Sequence, residues 1–232
     1  MEDVAPITPP ASAGPAYGDY PEPGRRALIT LGVVLTTLMT SIDGTIANTV
    51  LPQIRASVSA SQDEILWVLT SFILASTVVT PAIGWLERRF GRRNLLLGAL
   101  IGFTVSSVLC GAATGITELV IYRVLQGATA AVFIPLSQAI LLDINPPKDH
   151  ARAMALWGMG AVLGPIIGPI LGGFLTDQLN WRWVFFINVV PGLAVTVLTV
   201  RFLRVDRADT SMFRRIDWMH LLAMAVFLGS LQ

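Results

Sequence analysis

Residues 27–50 read ALITLGVVLTTLMTSIDGTIANTV, twenty-four positions with a single charge, Asp43. About 20 helical residues, rising 1.5 Å each, cross a bilayer core of roughly 30 Å, so this stretch is long enough to span one. Five more runs of the same kind follow, and the predicted spans are 27–50, 64–86, 94–113, 118–142, 152–175 and 182–203. A seventh apolar run, 217–232, has only 16 residues. It reaches about 24 Å and reads as a span cut off within a longer design. Composition agrees. Apolar residues make up 53% of the 232, charged residues 13%, and mean hydropathy is +0.66. An ordinary globular protein carries roughly 25% charged residues. This chain therefore cannot solvate its own surface in water, and a soluble enzyme is excluded. The net charge of +1 gives no reason to expect nucleic acid as a partner. The single cysteine, Cys110, excludes an internal disulfide and a cysteine-based metal site. The predicted fold class is all-α, a polytopic membrane helix bundle.

Residues 1–24 differ from the rest. They hold six prolines, three glycines, four acidic residues and no lysine or arginine. Such a segment buries too little apolar surface to order itself and predicts a flexible, Pro-rich tail. Residues 204–216 form a polar loop before the seventh run. Orientation follows from the cations. With the tail inside, Arg25, Arg26, Arg88, Arg89, Arg92, Arg93, Lys148, Arg152, Arg201, Arg204, Arg207, Arg214 and Arg215 fall on the inner side, against Arg55 and Arg182 outside. Thirteen against two predicts a cytoplasmic amino terminus.

Most ionisable residues of the spans sit near an end, where they reach the interface. Asp43 and Arg123 do not. Each costs about 2.5–3.5 kcal/mol at a helix centre, so a bundle that keeps them uses them or pairs them. Asp43 lies about 10 Å, and Arg123 about 8 Å, from the outer ends of their predicted spans. Opposite charges at similar depth are placed to share a polar cavity; a purely structural ion pair, or an Arg123 that snorkels outward, remains open. Thr45, Asn48 and Gln126 would line such a cavity, or equally hold helices together as polar glue in lipid.

The fifth span reads Gly164-Pro165-x-x-Gly168-Pro169-x-x-Gly172-Gly173, preceded by Gly158 and Gly160. Glycine at four-residue steps clears one helix face for close approach of a neighbour, while proline removes hydrogen bonds. Tight packing and a hinge are both open readings. This stretch resembles the fifth-helix antiporter motif of major facilitator superfamily drug exporters. Gly84-Trp-Leu-Glu-Arg88-Arg89-Phe-Gly91-Arg92-Arg93 resembles the superfamily's cytoplasmic loop motif, and Tyr122-Arg123-x-x-Gln126-Gly127 its buried-arginine motif. Asp43-Gly-Thr45-Ile-Ala-Asn48-Thr-Val-Leu51-Pro52 resembles the first-helix motif of the fourteen-helix drug:proton antiporters. Trp181-Arg-Trp183-Val-Phe-Phe186-Ile-Asn188 also looks like that EmrB/QacA type.

The resemblance implies the six-helix amino-terminal half of the superfamily fold plus a partial seventh helix, in a bacterial cytoplasmic (inner) membrane. It implies proton-coupled multidrug efflux by alternating access, with a hydrophobic or cationic small molecule and protons as substrates. A half of this kind is expected to be inactive alone. A specific metabolite transporter of the same superfamily, or a truncated protein that does not transport, is the alternative. A periplasmic adaptor and an outer-membrane channel are further partners the resemblance admits. Asp43 would take up protons or recognise cations, and Arg123 would modulate it; a nearby cation favours an ionised carboxylate, whereas burial opposes it. In the loop motif the family's acidic position holds Arg88, with Glu87 beside it, which weakens the usual carboxylate latch. Arg88, Arg89, Arg92 and Arg93 also suit an anchor on anionic lipid. No metal, cofactor or catalytic residue is expected, and no motif of an intramembrane enzyme is present.

Overall fold

The computed structural model describes residues 20–203. Most of the predicted tail, the 204–216 loop and the seventh run lie outside them. Within them the elements are helices: α1 (Pro23–Val58), α2 (Gln62–Val79), α3 (Ile83–Phe90), α4 (Arg92–Ala112), α5 (Ile116–Ala130), α6 (Phe133–Ile144), α7 (His150–Gln178), α8 (Trp183–Phe186) and α9 (Val189–Phe202). Two single 3-10 turns, Thr80–Ala82 and Pro147–Asp149, complete the list. Joined end to end these make six runs long and apolar enough to cross a membrane: Pro23–Val58, Gln62–Phe90, Arg92–Ala112, Ile116–Ile144, Pro147–Gln178 and Trp183–Phe202. They are called the first to sixth spans below.

Local chemistry explains where the spans start, stop and break. Pro23 opens α1 at a position whose N–H has no helical partner in any case. Ser61 and Glu64 form a reciprocal capping box at the start of α2. Gly91 turns the chain from α3 into α4 at φ 76°, a conformation that favours glycine. Three spans are interrupted, each just ahead of a proline. Pro81 sits in the 3-10 turn between α2 and α3, Pro135 follows the α5–α6 break, and Pro191 follows the α8–α9 break. Each proline lacks the N–H that would close the hydrogen bond across the interruption. By contrast α7 continues unbroken through Pro165 and Pro169.

The first span is central, packing most extensively on α7 and also on α9 and α6; α2 packs on α5, and α4 lies between α5 and α9. The buried apolar residues form two separate cores. One holds Val33 and Met39 of α1, Leu100 and Phe103 of α4, Phe133 of α6 and Val195 of α9. The other holds Ile46 and Val50 of α1, Cys110 of α4, Leu119 of α5 and Phe185 of α8. Between them, in every one of these spans, lies a buried polar residue: Asp43, Ser107, Arg123 with Gln126, and Asn188. The exterior is the reverse of a water-soluble surface. Val190 (75% exposed), Ile170 (68%) and Val162 (65%) stand outward with many other large apolar side chains. A continuous apolar exterior around a polar layer is what lipid requires and water forbids.

Candidate functional site

The polar layer is one connected network. Arg123 of α5 donates through Nη1 to Asp43 Oδ2 on α1 at 2.8 Å, and each side chain is 1% exposed. The same nitrogen donates to Gln126 Oε1 at 2.8 Å, one helical turn on. Arg123 Nε donates to the Val68 carbonyl of α2 at 3.1 Å. Its guanidinium also stacks 4.2 Å from the centre of the Phe72 ring and 5.8 Å from that of Phe185. The other carboxylate oxygen, Asp43 Oδ1, accepts from Asn188 Nδ2 at 2.7 Å and from Gln126 Nε2 at 3.1 Å. Both amides also donate to Ser107 Oγ, at 3.1 and 3.2 Å, and that hydroxyl donates to the Phe185 carbonyl at 2.9 Å. Cys110 Sγ approaches Gln126 Oε1 at 3.5 Å. Three donors therefore meet one carboxylate, and the arrangement fits the ionised form. Without them the desolvation of two charges would exceed their attraction.

The backbone permits this contact for a steric reason. A Cβ on Gly127 would fall on the Phe72 backbone, so only glycine lets α5 come close enough to α2 for Arg123 to reach Val68. The Tyr122-Arg123-x-x-Gln126-Gly127 stretch thus supplies the cation, its orienting amide and the clearance in six residues.

The predicted cavity-lining residues separate. Gln126 is wholly buried inside the network. Thr45 Oγ1 donates within α1 to the Ser41 carbonyl (2.9 Å) and across to the Gly164 carbonyl of α7 at 3.3 Å, a helix-to-helix contact. Asn48 is exposed and donates to the Gly44 carbonyl at 3.0 Å. Ser107 and Asn188 are network members that sequence reasoning gave no role. Asn188 carried a signal, being an amide inside an apolar run where polar groups are costly. Ser107 carried none. Its neighbour Ser106 satisfies its hydroxyl on its own helix at Gly102, as most intramembrane serines can, and only the fold shows that Ser107 does not.

Comparison with known proteins shows the family and the fold. Residues 33–229 match the Major Facilitator Superfamily. The chain belongs to that superfamily. It is 40% identical over 211 residues to the multidrug export protein EmrB of Escherichia coli K12, covering 91% of this chain and 41% of that protein. Against EmrB of Haemophilus influenzae identity is 42% over 209 residues, covering 90% of this chain and 41% of the relative. The chain thus spans about two fifths of the length of these relatives. The inward-open xylose transporter XylE from E. coli superposes with a TM-score of 0.67 at 17% identity, covering 88% of this chain and 55% of that one; this shows the fold alone. Family and fold are those of a multi-pass membrane transporter.

The other stretches singled out in the sequence for their resemblance to the superfamily lie within the described residues. Gly160, Gly164, Gly168 and Gly172 all face α1, where a Cβ would run into Val34, Ser41, Thr45 and Ile46 respectively. Gly158 and Gly173 face open space. The stripe therefore lets α7 lie close against α1, with Pro165 and Pro169 inside it. At the other end of the bundle, Gly84 lies in α3 with space around it, and Arg88 Nε donates to its carbonyl at 3.2 Å. Arg92 pairs with both Glu87 and Asp143, tying the loop to the end of α6. Arg93 donates to the Val200 carbonyl at 3.0 Å, and Arg89 stacks 5.7 Å from the Phe90 ring centre.

Proposed function

We propose that this chain forms the amino-terminal half of a multidrug exporter that exchanges its substrate for protons by alternating access, and that it does not transport alone. Multidrug export is what both EmrB relatives are named for, and this chain aligns with them over most of its length. The observation that carries proton coupling is the Asp43–Arg123 pair, a carboxylate in a membrane-spanning bundle that is buried to 1% and held by three donors. Intramembrane acids of this kind mark proton pathways. Protonating Asp43 cancels its charge and leaves Arg123 unpaired, which changes the relative energy of any state in which the network is assembled.

In this reading Asp43 takes the proton, Arg123 and Gln126 hold it, and the exposed Asn48 belongs to the wall of a cavity completed by a second bundle, while Thr45 joins α1 to α7. The α1–α7 contact at Gly164, Gly168 and Gly172 is the joint about which the half rearranges. The bias of arginine and lysine supports a cytoplasmic amino terminus; in this reading the membrane is a bacterial inner membrane and a periplasmic adaptor is a further partner. The test is accumulation of ethidium, a lipophilic cation, in a drug-sensitive bacterium. The chain is expressed alone or with the carboxy-terminal remainder of EmrB. Efflux is expected only from the pair. It should collapse with a protonophore and be abolished by Asp43→Asn. Efflux by the chain alone contradicts the half-transporter reading, and efflux undiminished in Asp43→Asn contradicts proton coupling.

A further inference from the structure

Asn188 joins the network from a break in its own span. It directly precedes α9 with a helical backbone (φ −70°, ψ −18°), and its side chain makes no capping bond. Both amide hydrogens are used elsewhere: Nδ2 donates to Asp43 Oδ1 at 2.7 Å and to Ser107 Oγ at 3.1 Å. The residue is 2% exposed and stands at the break between α8 and α9, next to a carbonyl that Pro191 leaves without its helical donor. A side chain at a break in the sixth span is thus bonded to the charged residue of the first.

We propose that Asn188 is a positioning residue and a charge-dependent latch: it holds the α8–α9 joint against α1 while Asp43 is ionised, and releases it when Asp43 is protonated. This rests on the reading of Asp43 as the proton carrier. The chemistry is set by which oxygen faces which donor. Oδ2 faces the Arg123 guanidinium, which requires an unprotonated oxygen. An arriving proton therefore bonds to Oδ1, the oxygen to which Asn188 and Gln126 both donate. The resulting O–H confronts two N–H donors, so the shortest of the contacts, that from Asn188, loses its acceptor. The titratable groups that face Asp43 are Arg123 on α5 and the Cys110 thiol on α4, and neither supplies a replacement acceptor for Asn188.

The chain carries its own reporter. Cys110, its single cysteine, is buried beside Gln126 and two residues from the end of α4. The experiment is the rate at which N-ethylmaleimide labels Cys110 in the full chain, purified in detergent and held at one pH. Asp43→Asn imitates the protonated state, because its carbonyl turns to Arg123 and its amide then faces the other amides. Asn188→Leu keeps the branched shape and removes the donor. Each is expected to speed labelling about tenfold, the factor corresponding to a lost hydrogen bond to a charged group. The double variant is expected to label no faster than either single one, because both break the same contact. Thr176→Val, which removes a hydroxyl bonded only within α7, controls for general loosening and is expected to label at the wild-type rate. Asn188→Ala gives the same comparison if leucine is not accommodated. An Asn188 variant at the wild-type rate, or rates that multiply in the double variant, overturns the latch. Since labelling needs no transport, proton-dependent ethidium efflux alongside multiplied rates discards the latch and keeps proton coupling.

Discussion

Asp43 and Arg123 each depend on the other for being tolerated where they are. Removing one leaves an uncompensated charge in a site with no solvent, which costs about 3–5 kcal/mol. Arg123→Met is therefore expected to lower the thermal unfolding midpoint of the purified chain strongly, and the combined Asp43→Leu, Arg123→Met variant to recover much of the loss. A thermal shift series in detergent checks this; two single losses that simply add in the double variant would show that the residues do not share a bond. The candidates for this site were legible in the sequence, because a charge in the middle of an apolar run stands out on cost alone. Their partners were less so. Gln126 was visible by its three-residue offset from Arg123, on the same helical face. Asn188 lies 145 positions from Asp43 and 81 from Ser107, and no local pattern encodes such a meeting.

At the scale of elements, the glycines divide into two groups that a sequence cannot distinguish. A Cβ at Gly164, Gly168 or Gly172 would meet α1, whereas one at Gly158 or Gly173 would point into open space. Gly164→Ala and Gly168→Ala are expected to destabilise the bundle by about 1–3 kcal/mol, since the added methyl must displace α1. Gly158→Ala and Gly173→Ala are expected to be neutral, or to stabilise by up to about 1 kcal/mol through helix propensity. Thermal midpoints of the four variants read this directly, and equal losses at all four would contradict the packing. The four-residue step of glycine was readable as a close-packed stripe, but which side it served required the partner helix. Proline was the weaker guide. Pro165 and Pro169 stay within a continuous α7, while the interruptions fall at Pro81, Pro135 and Pro191. A missing N–H is common to all five, so it does not by itself decide where a helix breaks.

Over the whole molecule, the fold class was the most legible property, because six long apolar runs and a 13% charged fraction leave a helical bundle in lipid as the one economical solution. The layering of two apolar cores around a polar network was not legible, since it depends on the relative depth of four spans. The cation bias predicts that alkaline phosphatase, active only when exported, works when fused at 113–115 and fails when fused at Gly91; the reverse pattern would invert the topology. The account as a whole rests on Asp43 changing its protonation inside this network. The most direct measurement is the infrared spectrum of the chain in lipid nanodiscs, recorded across pH and subtracted from that of Asp43→Asn. A protonated-carboxyl band that comes and goes with pH and is missing from Asp43→Asn is the predicted result. A spectrum without any Asp43-dependent band, at every pH at which the chain stays folded, would contradict it.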